Sequence, residues 1–321
     1  QWGDDLIMYP VDGYGSQDMI RSLIRTERPD MLWFMTDPRF YGWLWEIEDE
    51  IRSLIPMVYY HVWDNYPYPR YNKVWYDSCD HIACISKVTY DIVQNVSPDV
   101  QCEYLPHAVN PTFFKPLPEQ QIQNFRKQKN LDDKFVVFWN NRNAKRKQPG
   151  TLIHVFKQFL DEVGHDNATL IMHTEPLDGE GPNLFSVTEM LGIQNNVFFS
   201  RERIEFEKMN VLYNISDFCI NTSYAEGFGL STLESMMTGT PIIAPKTGGL
   251  TRQVVDYRDN TENGVAMDID LKTLVGSQQV PYIYEDYVSN QNMAKSIHKL
   301  YSLSDESKQS LSRKVKQYAE C

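Results

Sequence analysis

Short, continuous apolar runs alternate with helically spaced ones along most of this chain. Residues 6–9, 31–35, 57–61, 81–85 and 102–105 each read as a strand. The run 31–35 is apolar throughout, as expected for a strand buried on both faces. Between these runs, residues 18–28, 43–54, 72–78 and a segment from Ser86 carry helical spacing, the first stopped by Pro29. An aromatic loop fills residues 62–71.

A stiff proline-bearing stretch, residues 115–118, reads as a linker, and a helix follows it. A second alternating series then begins, with strands expected at 135–139, 168–172, 197–199, 218–220, 241–244 and 265–267. Strands alternating with helices predict α/β architecture with parallel sheets. Two Rossmann-like domains facing across a cleft are expected, residues 1–115 and 116–321, with ligands gathering beyond the strands' carboxyl ends. No internal repeat or low-complexity tract interrupts the pattern.

The most informative stretch runs from Glu226 to Glu234, two acids eight positions apart with Gly227 and Gly229 just after the first. A short apolar strand precedes it, and Leu230, Leu233, Met236 and Met237 have helical spacing after it. The glycines therefore lie on a strand-to-helix turn, where unpaired N–H groups and the helix dipole favour an anion. A carboxylate such as Glu234, one to two turns into the helix, can accept from a ribose diol. Arg142, Lys145, Arg146 and Lys147 directly follow the strand 135–139, so their cations also lie at a strand's carboxyl end. His61 and His173 each end a strand, and Gly248 with Gly249 form a second glycine turn. His107 lies in the turn between the two series. Each feature has a structural reading beside the functional one: a capped turn, a solvated basic loop, a hydrogen-bonding core histidine.

Composition narrows the field. Hydrophobic content of 42% suits an ordinary soluble protein with sizeable cores, and a net charge of −12 argues against nucleic acid as a main partner. No run of about 18 apolar residues is present, and the start at Gln1 lacks the basic region of a secretory leader. Five cysteines without metal spacing fit a reducing, cytoplasmic setting. The glycosylation sequons at Asn95, Asn167, Asn214 and Asn221 read as chance matches.

Together these pieces resemble the retaining nucleotide-sugar glycosyltransferases of GT-B fold, glycosyltransferase family 4 type. Glu226-x7-Glu234 is similar to that family's acid pair, and Arg142-x4-Lys147 to its phosphate-gripping pair. Residues 239–249 resemble its "G-x-P-V-I-A" stretch and following glycine pair, and residues 80–86 and 105–115 its strand-to-helix and interdomain signatures. The resemblance implies that Arg142 and Lys147 hold the donor diphosphate, Glu234 the ribose, and Glu226 the donor sugar. Gly227, Phe228, Gly229 and Leu230 complete the donor site, and His61 is the cleft histidine that meets donor or acceptor. Glu226, His61, Arg142 and Lys147 are thus the expected catalytic set. The co-substrate implied is a UDP- or GDP-linked sugar, with no metal and no further cofactor. The acceptor is left open between a glycan, a lipid-linked sugar and a small hydroxyl compound, with peripheral contact at a membrane surface as the family often shows. By the same resemblance the chain is expected to lack the family's first strand and its closing C-terminal helix, which makes the N-terminal, acceptor-side domain partial. A non-catalytic nucleotide-sugar-binding fragment is the alternative. A phosphorylase or sucrose-type synthase on the same fold is a second enzyme reading, of which the phosphorylase ranks low for want of a cofactor lysine. An oxidoreductase fails because Thr232 stands where the dinucleotide fingerprint wants its third small residue.

Overall fold

The computed structural model describes residues 6–321, and the opening residues 1–5 lie outside that range. The chain divides into two compact units: residues up to 105 with 276–282, and residues 106–275 with 283–321.

The first unit is built on four parallel strands in sequence order, β1 (Leu32–Met35), β2 (Met57–His61), β3 (His81–Cys84) and β4 (Cys102–Tyr104). Its two longest helices start where serines cap them. Ser16 accepts from the Met19 N–H ahead of Gln17–Glu27, and Ser86 from the Thr89 N–H ahead of Lys87–Val96. Arg28 takes the left-handed conformation that ends the first of these, one residue before Pro29.

Three expectations change here. Residues 6–9 form no strand; no neighbouring strand pairs with them, and Leu6, Ile7 and Met8 stand exposed. The apolar run at β1, an edge strand, is not buried on both faces: Phe34 points to the covered face and is buried, while Trp33 and Met35 on the other face are exposed. The helix expected at 43–54 is two short ones, Gly42–Trp45 and Glu48–Arg52, broken at Ile47 with φ −124°.

The second unit carries six parallel strands: β5 (Phe135–Asn140), β6 (Ala168–His173), β7 (Val197–Ser200), β8 (Phe218–Ile220), β9 (Ile242–Pro245) and β10 (Gly264–Met267). Their spatial order is β10-β9-β8-β5-β6-β7, the doubly wound order with its reversal between β5 and β8. Both sheet faces are covered. Pro149–Val163 and Asn290–Tyr301 bury Phe156, Phe159 and Ile297 on one side. Phe206–Asn214, Leu230–Met237 and Asp305–Ala319 bury Tyr213, Met236 and Val315 on the other. This two-sided burial explains why β5 and β9 read as apolar runs without alternation.

The division between units falls at 105/106, earlier than the 115/116 expected from the prolines. Phe114 is buried in the second unit's core, and the Lys115 and Leu117 N–H groups donate to Asn210 Oδ1 (3.0 Å) and Asn214 Oδ1 (2.8 Å). Asn214 and Asn221 are both buried, which closes those two sequons to a glycan.

An antiparallel hairpin, β11 (Leu271–Val275) and β12 (Ile283–Tyr287), had no counterpart in the sequence reading. Its turn, residues 276–282, counts with the first unit: the Tyr71 hydroxyl donates to the Tyr282 carbonyl at 2.8 Å. Among the described residues no helix is long and apolar enough to cross a membrane.

Candidate functional site

The reversal of strand order in the second unit brings the loops after β5 and β8 together, the position where open α/β sheets collect ligands. The loop after β5 is pinned by the buried Asn143, whose Nδ2 donates to the Pro176 (3.1 Å) and Pro182 (2.9 Å) carbonyls. A single 3-10 turn, Lys145–Lys147, leads into Pro149–Val163, with proline at its first position. Two hydrogen bonds tie this turn to the loop after β8. Gln148 Nε2 donates to the Thr222 carbonyl (2.7 Å), and Thr222 Oγ1 donates to the Lys147 carbonyl (2.8 Å). They hold Lys147 in a buried position from which Nζ reaches Glu226 Oε2.

Glu226 is the focus of the loop after β8. Besides Lys147, it lies 3.7 Å from Arg146 Nη1 and accepts from Ser223 Oγ at 3.3 Å. Burial alone would push its pKa up, but Lys147 and Arg146 outweigh that and hold the carboxyl below its ordinary value. Arg146 also donates to the Ala225 carbonyl, and its own carbonyl receives the Tyr224 N–H at 3.2 Å. Arg146 was named in the sequence only as one cation of the basic run; nothing in its spacing separates it from Lys145.

After Glu226 the chain makes the expected glycine turn. Gly229 has φ +93° and is the N-cap of Leu230–Met237, without a side-chain cap. The second glycine turn presses on the first. The Gly249 N–H donates to the Glu226 carbonyl at 2.9 Å, and a Cβ on Gly249 would stand 2.4 Å from the Gly227 carbonyl oxygen. Gln253, which sequence reasoning missed, donates from Nε2 to the Phe228 carbonyl at 2.7 Å and receives Thr232 Oγ1. Phe228 is buried with its ring edge-on to His107, centroids 5.3 Å apart, while Leu230 is exposed.

Glu234, on the helix, accepts from the Tyr213 hydroxyl at 2.6 Å, and that hydroxyl accepts from Asn140 Nδ2 at 2.9 Å. Asn140 is the last residue of β5, so this chain of bonds ties Glu234 to the end of the strand whose following loop carries Lys147. Burial raises the Glu234 pKa, with the Tyr213 hydrogen bond opposing. The two carboxylates are thus pushed in opposite directions.

The other expected residues lie elsewhere. Arg142 is largely exposed and turns to Asp178 (2.7 Å) and Glu180 (3.1 Å), not to Glu226. His173 meets Ser200 Oγ at 2.9 Å, and burial lowers its pKa. His61 differs most from expectation. It is fully buried in the first unit, with Nδ1 3.0 Å from the Tyr59 hydroxyl and Nε2 2.7 Å from the Tyr76 hydroxyl. The Tyr59 hydroxyl donates to the Thr36 carbonyl (2.6 Å), so it accepts from His61 Nδ1–H; Nε2 then accepts from Tyr76. His61 as placed is a neutral core residue with both ring nitrogens used, in contrast to the cleft histidine expected from its strand-end position. Among the described residues, no group of three or more His, Cys, Asp or Glu could hold a metal, and the five cysteines form no disulfide.

Comparison with known proteins bears on family and fold. The family model for glycosyl transferases group 1 matches residues 120–318. D-inositol 3-phosphate glycosyltransferase of Corynebacterium jeikeium is 29% identical over 183 residues, 52% of this chain and 43% of that protein. Alpha-monoglucosyldiacylglycerol synthase of Streptococcus pneumoniae is 23% identical over 237 residues, 69% of this chain and 52% of that protein. The chain thus spans about half the length of these relatives. Among solved structures, Anabaena HepE in complex with UDP and glucose aligns with TM-score 0.70 at 18% identity, covering 97% of this chain and 79% of that one. That likeness establishes the GT-B fold.

Proposed function

The chain belongs to the glycosyl transferases of group 1, and from that premise we propose that it moves a sugar, with retention, from a UDP- or GDP-linked donor to a hydroxyl acceptor. What supports this most is the meeting of Lys147 and Glu226 at the reversal of strand order, beside the helix N-terminus that Gly229 leaves without a side-chain cap. Backbone N–H groups at that turn and the Lys147 ammonium suit a diphosphate. Glu234 suits the ribose, and Glu226 the donor sugar. Arg142 adds a second grip on the diphosphate by exchanging Asp178 and Glu180 for it, an exchange made easy because exposed ion pairs hold weakly. Lys147, Arg146 and Arg142 supply positive charge where the leaving nucleotide gains negative charge, so the reading calls for neither metal nor cofactor. The acceptor belongs to the glycan, lipid-linked or small hydroxyl class. The diacylglycerol and inositol phosphate in the relatives' names favour a lipid or polyol, used at a membrane surface from the cytoplasmic side.

Calorimetry with UDP, GDP, ADP and their sugar conjugates tests this reading. One diphosphate is expected to bind selectively, with Glu234→Ala and Lys147→Ala each weakening it about tenfold or more. Nucleotide binding with neither transfer nor hydrolysis of the sugar conjugate would identify a donor-binding protein without turnover. No binding by any nucleotide sinks the proposal.

A further inference from the structure

We propose that Asp286, on the hairpin strand β12, is a positioning residue that sets both glycine turns of the donor site; the inference rests on the donor-binding reading above. Asp286 is buried, an unusual place for a carboxylate without a task or partners. Its Oδ2 receives the Thr247 hydroxyl at 2.8 Å, and Thr247 immediately precedes Gly248 and Gly249. Its backbone N–H donates to the Tyr224 carbonyl at 3.0 Å, two residues before Glu226. Its Oδ1 lies 3.3 Å from Lys272 Nζ on β11, so the hairpin carries its own counter-charge. The Tyr287 ring lies against Tyr224, centroids 5.0 Å apart, and fixes the same junction from the next position along β12.

One buried residue therefore holds the start of each glycine turn. The turns themselves are joined by the Gly249 N–H bond to the Glu226 carbonyl. Their close approach leaves no slack: a Cβ on Gly249 would also stand 2.6 Å from Phe228 Cα. Loss of the Thr247–Asp286 bond lets residues 247–249 move relative to residues 226–229. The backbone groups that face the diphosphate then lose their common geometry, while the nucleoside end of the site keeps its own.

The test compares nucleoside diphosphate with nucleoside monophosphate binding in the intact chain. Thr247→Val deletes only the hydroxyl, and Asp286→Asn removes the charge while keeping the shape. Both variants are measured by calorimetry at a temperature where circular dichroism shows them folded. The expected result is a loss of diphosphate affinity of about tenfold with monophosphate affinity within about twofold, and non-additive effects in the double variant. A purely structural role would lower Tm and leave the diphosphate-to-monophosphate ratio at its wild-type value; that outcome overturns the inference, and Thr247→Val decides it if Asp286→Asn does not fold. A wild-type chain that binds no nucleoside diphosphate overturns the donor-site reading itself, and the inference falls with it.

Discussion

Burial pushes the pKa of His61 down to about 3, and its two tyrosine partners occupy both ring nitrogens. The folded chain therefore keeps this ring neutral where the unfolded chain, with an ordinary value of 6.5, takes up a proton. Between those two values the unfolded state binds more protons, so stability falls as pH drops from 6.5 toward 3. Urea denaturation across that range is expected to show the slope in the wild type and a flatter profile in His61→Gln. His61→Ala takes one hydrogen-bond partner from each of the Tyr59 and Tyr76 hydroxyls, leaves a cavity in the core, and is expected to cost about 2–4 kcal/mol, with nucleotide affinity unchanged in the folded fraction. Loss of nucleotide affinity without loss of stability would return His61 to the site. Glu226 adds a second acid-side dependence at lower pH: its depressed carboxyl contributes stability above the ordinary carboxylate value, lost on acidification. Glu234, raised, works the other way.

Among the elements, the paired glycine turns are tightly specified. Gly249→Ala places a methyl against backbone atoms of residues 227 and 228, which cannot rotate away as the end of a side chain could. The turns must separate, at a cost of about 1–3 kcal/mol, and nucleotide affinity is expected to fall together with Tm in a thermal-shift titration. Gly249→Ala with wild-type affinity would show that the second turn plays no part in the site. The glycine turns were legible in the sequence because their signal is local, with glycine beside a strand end and helical spacing behind it. So were β5 and β9, whose burial on both faces leaves a nearly unbroken apolar run. The hairpin was not legible: β11 is mostly exposed and β12 has only Asp286 buried, so neither shows a period of two. The exposed stretch at 6–9 misled for the opposite reason, since apolar residues alone do not supply a strand to pair with. Arg146 and Asp286 act through contacts made across long stretches of sequence, and no spacing rule reports those.

For the molecule as a whole, the charge balance constrains what surfaces it meets. A net charge of −12 works against broad adhesion to anionic lipid, whatever acceptor the chain serves. Co-sedimentation with phosphatidylcholine vesicles is expected to gain nothing when an anionic lipid is added. A strong gain would reveal a local basic surface that overrides the total. The parallel α/β architecture of the second unit follows from alternating strands and helices, which is why the fold class was readable at this scale while the strand order and the unit boundary were not. Phe114 and two asparagine side chains place that boundary, and a proline-bearing stretch in the sequence says nothing about which core its neighbours will join. The hairpin has a consequence for the order of synthesis. The ribosome delivers the first unit's sheet early, yet Tyr71 receives its Tyr282 partner only after most of the second unit has emerged. The unit begun first is therefore finished late, and a nascent chain halted before residue 276 should leave it open to proteases that the released protein resists.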